Sequence, residues 1–376
     1  MGSSKSLVEE FKSCMMEKFD MSDLGLLHYF LGLEVNQNDD GIFISQKKYA
    51  TDLLKKFGML NCKSMPTPMN VNENLVADDG TGMANAKQFR SIIGGLNYLC
   101  HTRPDITFSV SVLSRFMHSP SLHHLGAANR YVVGTIDFGI WYSKVSRFRL
   151  CGFSDSDWAG CLEDRRSTSG CMFSLGSGAI SWSSKKQDIV ALSSSEAEYV
   201  AVTGAACQAV WLRRLLADCL QVQEGATMIF CDNKAMIAMT KNPAFHSRTK
   251  HIDIRYHFIQ TLVANEEITL SYCSTHEQIA DILSLSPEQL PDGQRDEPGG
   301  GVGRLFEDHA VHKRSGANQR RHADQPHPEV DLLQVVDLAD SRRLDCRRRG
   351  WRRHGGSFRW LDLCRDRRWV DRFAVR

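Results

Sequence analysis

The sequence predicts an α/β fold: a mixed five-stranded sheet flanked by helices, reached through a hairpin-bearing segment and a helical connector. Three observations point there. Between Arg147 and Leu283 the apolar runs follow the order strand, strand, strand, helix, strand, helices, strand, helix. Two of those strands, R-F-R-L-C-G-F-S-D and A-T-M-I-F-C-D, end in an aspartate, Asp155 and Asp232. The long helix between them carries Ala201, Ala205 and Ala209 at helical spacing, small residues that suit close packing on a sheet.

The chain opens with S-L-V-E-E-F-K-S-C-M-M-E-K-F, where Leu7, Val8, Phe11, Met15 and Phe19 have helical spacing. A strand pair follows, H-Y-F-L-G-L-E-V and I-F-I-S, around the turn N-D-D-G. A second helix covers about residues 46–57, and Pro66-Thr67-Pro68 closes a first unit at Met69, because proline favours extended backbone before it. Residues 70–146 begin polar and become helical from Ala86 to about His101 and from Ile106 to Met117, with Arg103-Pro104-Asp105 as the break. A shorter helix, Leu125 to Val133, leads into G-T-I-D-F-G-I-W-Y-S, and the whole stretch reads as a connector.

Residues 147–283 form the next unit. After the strand ending at Asp155, C-M-F-S-L-G and A-I-S-W-S-S make a hairpin about Gly176 to Gly178. A long helix spans about Ser195 to Leu220. The strand ending at Asp232 precedes a short helix, N-K-A-M-I-A-M, and another helix near Ile252 to Ala264. Strand I-T-L-S-Y-C and a final short helix about Glu277 to Leu283 complete the set.

Residues 284–376 differ in kind, with 18 Arg against one Lys, 15 acids and little sustained periodicity. They are expected to be a disordered tail, read out of frame or spliced in, rather than an arginine-rich nucleic-acid arm.

Composition is globular, with 42% hydrophobic and 24% charged residues and a mean hydropathy of −0.32. The net charge of +2 hides an asymmetry: the tail is net basic and the body slightly acidic. Affinity of the body for a polyanion must therefore come from local patches. The twelve cysteines show no paired spacing, so reduced intracellular thiols are expected. No apolar run reaches the roughly 18 residues of a membrane span, and no signal peptide is visible. The start M-G-S-S-K-S fits a short myristoylation pattern.

Acids at the ends of neighbouring strands sit side by side at one rim of a sheet. Such a rim can hold two hard cations about 3.5–4 Å apart, the arrangement that hydrolyses phosphodiesters. Either aspartate alone would read as a turn or cap residue; the pair changes that. Glu196 and Glu198 compete for a third place. Glu198 shares the sheet-facing stripe with Ala201, Ala205 and Ala209, whereas Glu196 follows Ser193 at capping-box spacing. Ser195 and Glu198 have the same spacing, so facing rather than capping favours Glu198. Asp281, in T-H-E-Q-I-A-D-I-L, has the least physical support. His276 lies five residues before it and could shuttle a proton, although a solvated loop is its commoner place.

At these residues the sequence closely resembles the Pol polyprotein of copia-type LTR retrotransposons. The resemblance runs to about Leu283 and rests on long motifs, among them L-G-L-L-H-Y-F-L-G-L-E-V, R-S-I-I-G-G-L-N-Y-L, T-R-P-D-I-T-F-S-V, S-D-S-D-W-A-G, A-L-S-S-S-E-A-E-Y-V-A, K-H-I-D-I-R-Y-H-F-I and Q-I-A-D-I-L. It implies a ribonuclease H-like domain over 147–283, behind a partial reverse transcriptase (primer-contacting hairpin and thumb, 1–69) and a connector (70–146). The implied reaction is Mg²⁺-dependent hydrolysis of the RNA strand of an RNA–DNA hybrid. Two ions are used, with Mn²⁺ a substitute, and Asp155, Glu198, Asp232 and Asp281 serve as ligands. The implied partners are the hybrid and the upstream polyprotein, inside the cell and without a membrane.

Three departures qualify that expectation. The family's Y-x-D-D polymerase motif is absent, which makes Met1 look internal and removes the case for myristoylation. A-A-N-R-Y-V-V-G-T is about one helical turn short. The T-K-P-L expected after A-D-I-L is replaced by S-L-S-P. The alternatives to an active nuclease are an inactive remnant that at most binds nucleic acid and, further off, a host-adopted interaction protein. For backbone contacts to a hybrid the candidates are Arg165, Arg166, Lys185, Lys186, Arg248, Lys250 and His251. Trp158 and Trp182 read as core or rim packing.

Overall fold

The computed structural model describes residues 5–23, 25, 28–65, 67–68, 75–127, 129–145, 148–241 and 253–285. The expected tail beyond Leu285, together with Arg248, Lys250 and His251, lies outside them.

The first half is built on helix α1 (Lys5–Lys18), a small sheet and a group of helices. Strands β1 (Tyr29–Phe30), β2 (Leu33–Gln37) and β3 (Gly41–Ser45) form an antiparallel meander. Asn38 organises the β2–β3 turn, its Oδ1 accepting from the backbone N–H of Asp40 and Gly41 at 3.1 and 2.9 Å. Helix α2 (Lys47–Lys56) packs its buried Ala50, Leu53 and Leu54 against α3 (Ala86–Leu99). Asn85 caps α3 by accepting from Lys87 and Gln88 N–H. Helices α4 (Thr107–Ser114), α5 (Leu122–Ala127) and α6 (Asn129–Gly134) follow. Leu113 of α4 and Val132 of α6 lie in the same apolar core.

Two features differ from the sequence expectation. The G-T-I-D-F-G-I-W-Y-S stretch does not merely leave the connector. It forms β4 (Gly139–Ser143), which pairs antiparallel with β3 to make a four-stranded sheet, β1-β2-β3-β4. The connector thus closes back onto the hairpin. The Arg103-Pro104-Asp105 break is also more than a break. Arg103 is 1% exposed and folds onto Asp105, with Nε–Oδ1 at 2.8 Å and Nη2–Oδ2 at 2.6 Å. Its Nη1 donates to the Thr135 carbonyl at 2.7 Å and its Nη2 to the Thr135 hydroxyl at 2.6 Å, and the guanidinium lies over the Phe138 ring. The ion pair therefore ties the start of α4 to the segment that feeds β4.

The second half carries a five-stranded mixed sheet, as the sequence predicts. Strands β5 (Leu150–Ser156), β6 (Thr168–Leu175) and β7 (Gly178–Lys186) are antiparallel, with Gly176 at φ 68° in the β6–β7 turn. Strands β8 (Thr227–Cys231) and β9 (Ile268–Tyr272) run parallel to β5, giving the order β7-β6-β5-β8-β9. Helix α7 (Ser194–Asp218) crosses one face. Its Ala205, Ala206 and Ala209 are fully buried over Phe173 and Ile229, because alanine lets the helix axis approach the strands. Helices α8 (Lys234–Lys241) and α9 (Asp253–Ala264) flank α7. On the other face Met172 and Ala179 meet Phe138 and Ile140 of the connector.

The expected final helix is two 3-10 turns, Thr275–Glu277 and Ile279–Leu283. Gln278 between them is extended at φ −78°, ψ 94°. Its side chain accepts from Ala280 N–H and donates to the Ser154 carbonyl at 3.0 Å, so β5 sets the break. Ser284 and Leu285 continue from the last turn, their N–H groups bonding back to the Asp281 carbonyl at 3.1 and 2.8 Å.

Asp105→Ala would leave the Arg103 guanidinium buried without its counter-charge. We expect a loss of about 3–5 kcal/mol of stability, measured by urea unfolding of the full chain. A midpoint equal to wild type would contradict the role given to this pair.

Candidate metal centre

The sheet register brings the strand-end aspartates together. Phe153 of β5 and Phe230 of β8 are direct partners in the parallel pairing. Asp155 and Asp232 each lie two residues further, at matching positions on the same rim. Glu198 comes from the first turns of α7. One carboxylate oxygen from each of Asp155, Glu198 and Asp232 lies within 4.8 Å of the others. Asp155 and Glu198 are buried and Asp232 is half-buried.

Glu196 does something else. Ser193 caps α7 by accepting from Glu196 N–H at 3.2 Å, and the Glu196 carboxylate accepts from Leu192 N–H at 2.9 Å. It therefore ties the loop before α7 to the helix start.

Asp281 lies on the last 3-10 turn and is outside the three-residue group. It is nonetheless close enough to feel Asp155 and Asp232. Burial first, and then those two charges, push its carboxyl up to about 9. Asp155 is pushed up to about 6, mainly by burial and further by Asp232, while the Ser284 hydroxyl bonded to it pulls the other way. Glu198 is raised well above the ordinary range by burial, with Asp155 and Asp232 adding to it. Two carboxylate oxygens here, Glu198 Oε2 and Asp281 Oδ2, are buried without a hydrogen-bond partner. Like charges without donors are costly in a dry site, so this arrangement suits a bound cation.

Other residues around the rim escaped the sequence reading. Composition puts Ser284 at the head of the tail, yet it is fully buried. Its hydroxyl donates to Asp155 Oδ2 and sits 3.2 Å from the Ala280 carbonyl. Thr275 Oγ1 donates to Asp232 Oδ2 at 2.9 Å. Asp157, in the same S-D-S-D motif as Asp155, accepts from Thr168 N–H and is held next to Arg115 of the connector, which bonds the Thr168 hydroxyl at 3.0 Å. Burial pushes Asp157 up to about 6, against the pull of Thr168 N–H and Arg115. A Cβ on Gly160 would meet the Asp157 carboxylate at 1.8 Å, so any side chain here would displace that carboxylate. Likewise, a Cβ on Gly170 of β6 would meet the Ala280 carbonyl at 2.7 Å and Leu283 Cβ at 2.9 Å. Gly170, the strand partner of Asp155, is what lets the Asp281 turn approach the sheet.

A family model described as reverse transcriptase (RNA-dependent DNA polymerase) matches residues 1–71. The retrovirus-related Pol polyprotein from transposon RE1 of Arabidopsis thaliana is 39% identical over 286 residues, which is 75% of this chain and 20% of that protein. The corresponding polyprotein from transposon TNT 1-94 of Nicotiana tabacum is 35% identical over 75% of this chain and 22% of its own length. An uncharacterized mitochondrial protein of Arabidopsis thaliana is 42% identical over 56% of this chain and 88% of its own length. Over three quarters of its length the chain is homologous to retrovirus-related Pol polyproteins of transposons. It spans about a fifth of the length of the Pol polyproteins it matches.

Among solved structures, LC11-RNase H1 in complex with an RNA/DNA hybrid aligns at 11% identity and a TM-score of 0.29, over 36% of this chain and 94% of that one. The foamy viral protease-reverse transcriptase in complex with dsDNA aligns at 11% identity and a TM-score of 0.38, over 66% and 44%. The fold class of this chain is α/β, with the mixed five-stranded sheet already described.

The cationic candidates are not gathered at the carboxylate rim. Lys186 is paired with Asp164 at 2.7 Å, and Arg166 approaches the same carboxylate at 3.6 Å. Arg165 and Lys185 are exposed. Lys185 lines a groove of about 430 Å³ between β7 and α7, with Gln208 and Arg255. His276 is exposed on its turn. Trp182 is half-buried and bonds the Cys100 carbonyl at 3.0 Å; Trp158 is 58% exposed, its Nε1 donating to the Ala191 carbonyl at 3.2 Å. No described helix is long and apolar enough to cross a membrane.

Two outcomes follow from the raised carboxyls. Unfolded carboxylates titrate near 4, so the folded chain holds protons that the unfolded chain releases. Stability from this source is present below about pH 4 and is lost as the pH rises through about 6 for Asp155 and about 9 for Asp281. In chelator, melting should therefore fall between pH 5.5 and pH 8.5, and Asp281→Asn should flatten that slope; identical slopes for the two proteins would contradict the placement of Asp281. Ser284→Ala removes a donor to Asp155. It should move the acid limb of divalent-ion binding upward by about one pH unit, and an unmoved limb would show the hydroxyl to be irrelevant.

Proposed function

We propose that this rim is a two-metal nuclease site that hydrolyses the RNA strand of an RNA–DNA hybrid. The observation that carries the proposal is the convergence of Asp155, Glu198 and Asp232 oxygens within 4.8 Å, with Asp281 buried beside them. The donor set fits hard divalent cations, Mg²⁺ first and Mn²⁺ as substitute. It is all carboxylate oxygen, and the unpartnered Glu198 Oε2 and Asp281 Oδ2 supply the open acceptors that such ions need. When bound, such ions supply an activated water and neutralise charge developing on the phosphate and the leaving 3′ oxygen.

The chain's own part is to hold ligands still and to exclude competing partners. Ser284 orients Asp155, and Thr275 orients Asp232. The α7 alanines seat Glu198 against the sheet. Asp157, with Thr168 and Arg115, stiffens the loop leaving β5. Exposed Arg165 and Lys185 are offered for backbone phosphates, in the sequence-independent manner that duplex recognition requires. Lys186 and Arg166 would first have to leave Asp164; Arg248, Lys250 and His251 remain candidates on sequence grounds. The upstream part of a Pol polyprotein is the proposed partner that presents the hybrid.

The test is cleavage of an end-labelled RNA–DNA hybrid by the full chain, with and without Mg²⁺. We expect Mg²⁺-dependent products with 5′-phosphate and 3′-hydroxyl ends, and a loss of at least about a hundredfold in Asp232→Asn. Wild-type cleavage no greater than that of the variant would reject the nuclease.

A further inference from the structure

A five-residue 3-10 turn has too few internal hydrogen bonds to hold itself in place. The turn Ile279–Leu283 nevertheless places Asp281, which is 1% exposed and whose Oδ2 has no hydrogen-bond partner. Its position must therefore come from packing. The turn touches β5, β6 and β7 on the sheet side, and α4 and the Pro104–Ile106 turn on the connector side. Ile279, Ile282 and Leu283 share one apolar cluster with Met172 and Ala179 of the sheet and with Phe138 and Ile140 of the connector. The connector wall is itself fixed. Ile140 pairs with Ile44 of β3, Tyr142 Oη donates to the Ala179 carbonyl at 2.7 Å, and the Arg103 guanidinium lies over the Phe138 ring.

We infer that Phe138 and Ile140 are positioning residues for the fourth carboxylate, so that the connector completes the metal site from outside the five-stranded unit. This rests on the metal-site reading above. It also accounts for an Asp281 turn that keeps its place although the T-K-P-L continuation is missing: the turn is pressed against Gly170 on one side and clamped by the connector on the other.

The experiment is Mn²⁺ binding to the full chain, by calorimetry and by the electron spin resonance of free Mn²⁺, with Asp155→Asn as the site control. Phe138→Ala and Asp281→Asn should each weaken binding roughly tenfold. Phe138→Leu should restore most of it. In the Asp281→Asn background Phe138→Ala should cost nothing further, because the group it positions is gone. Wild-type affinity in Phe138→Ala, or an equal loss with and without Asp281, overturns the inference while leaving the metal site standing. Should Phe138→Ala lose its cooperative melt, Ile140→Val carries the same comparison with a loss of about threefold. No Mn²⁺ bound by wild type, or equal binding by Asp155→Asn, rejects the site itself and the inference with it.

Discussion

Mutual repulsion between buried carboxylates is the constraint to which this half of the molecule is built. Asp155, Glu198 and Asp281 are each withdrawn from water and each placed near another acid. In the low dielectric of an interior, such a group must gain donors, a counter-charge or a proton. The donors among the described residues are few and neutral: the Ser284 hydroxyl on Asp155, the Thr275 hydroxyl on Asp232, and the Ser156 N–H toward Asp155 and Glu198. The one close guanidinium described here, Arg115, is spent on Thr168 and Asp157 rather than on the central acids. The apolar clusters on both faces of the sheet must therefore hold together a rim that electrostatics alone would push apart.

How much of this was legible in the sequence depends on the range of the interaction. Strand ends and helix facing are local, so the sequence places Asp155 and Asp232 at strand ends and Glu198 and Glu196 on different sides of α7. The alanine stripe on α7 was sufficient for that last distinction, since a carboxylate one turn from a buried alanine must share its side of the helix. The β3–β4 pairing was not legible, because it joins residues about a hundred positions apart and turns a supposed connector into a sheet edge. Gly170 was equally silent. Its glycine is required by a carbonyl and a Cβ that arrive from residues 280 and 283, and no nearby residue announces that approach.

The Arg103–Asp105 pair shows the same limit from another side. In the sequence a proline between two charged residues punctuates two helices. In the structure both charges are buried, and the guanidinium reaches Thr135 and Phe138, some thirty residues onward. A buried pair is seldom the most stabilising filling for its volume. Its value here is directional: five donors in a fixed fork set the angle at which the chain re-enters the sheet. That angle places Phe138 and Ile140 on the face where the Asp281 turn rests.

Ser284 brings these threads together. By composition it is the first residue of an unrelated tail, and by packing it belongs to the site. The resemblance read from the sequence runs to about Leu283, yet the T-K-P-L that it leads one to expect begins with a hydroxyl residue, and so does S-L-S-P. A hydroxyl at this position can cross the last 3-10 turn to Asp155, and serine reaches it as threonine would. The serine therefore supplies the hydroxyl that Asp155 accepts from. A boundary drawn from composition marks where kinship stops. Among the described residues the contacts of the site run past that boundary, to the Ser284 hydroxyl on Asp155.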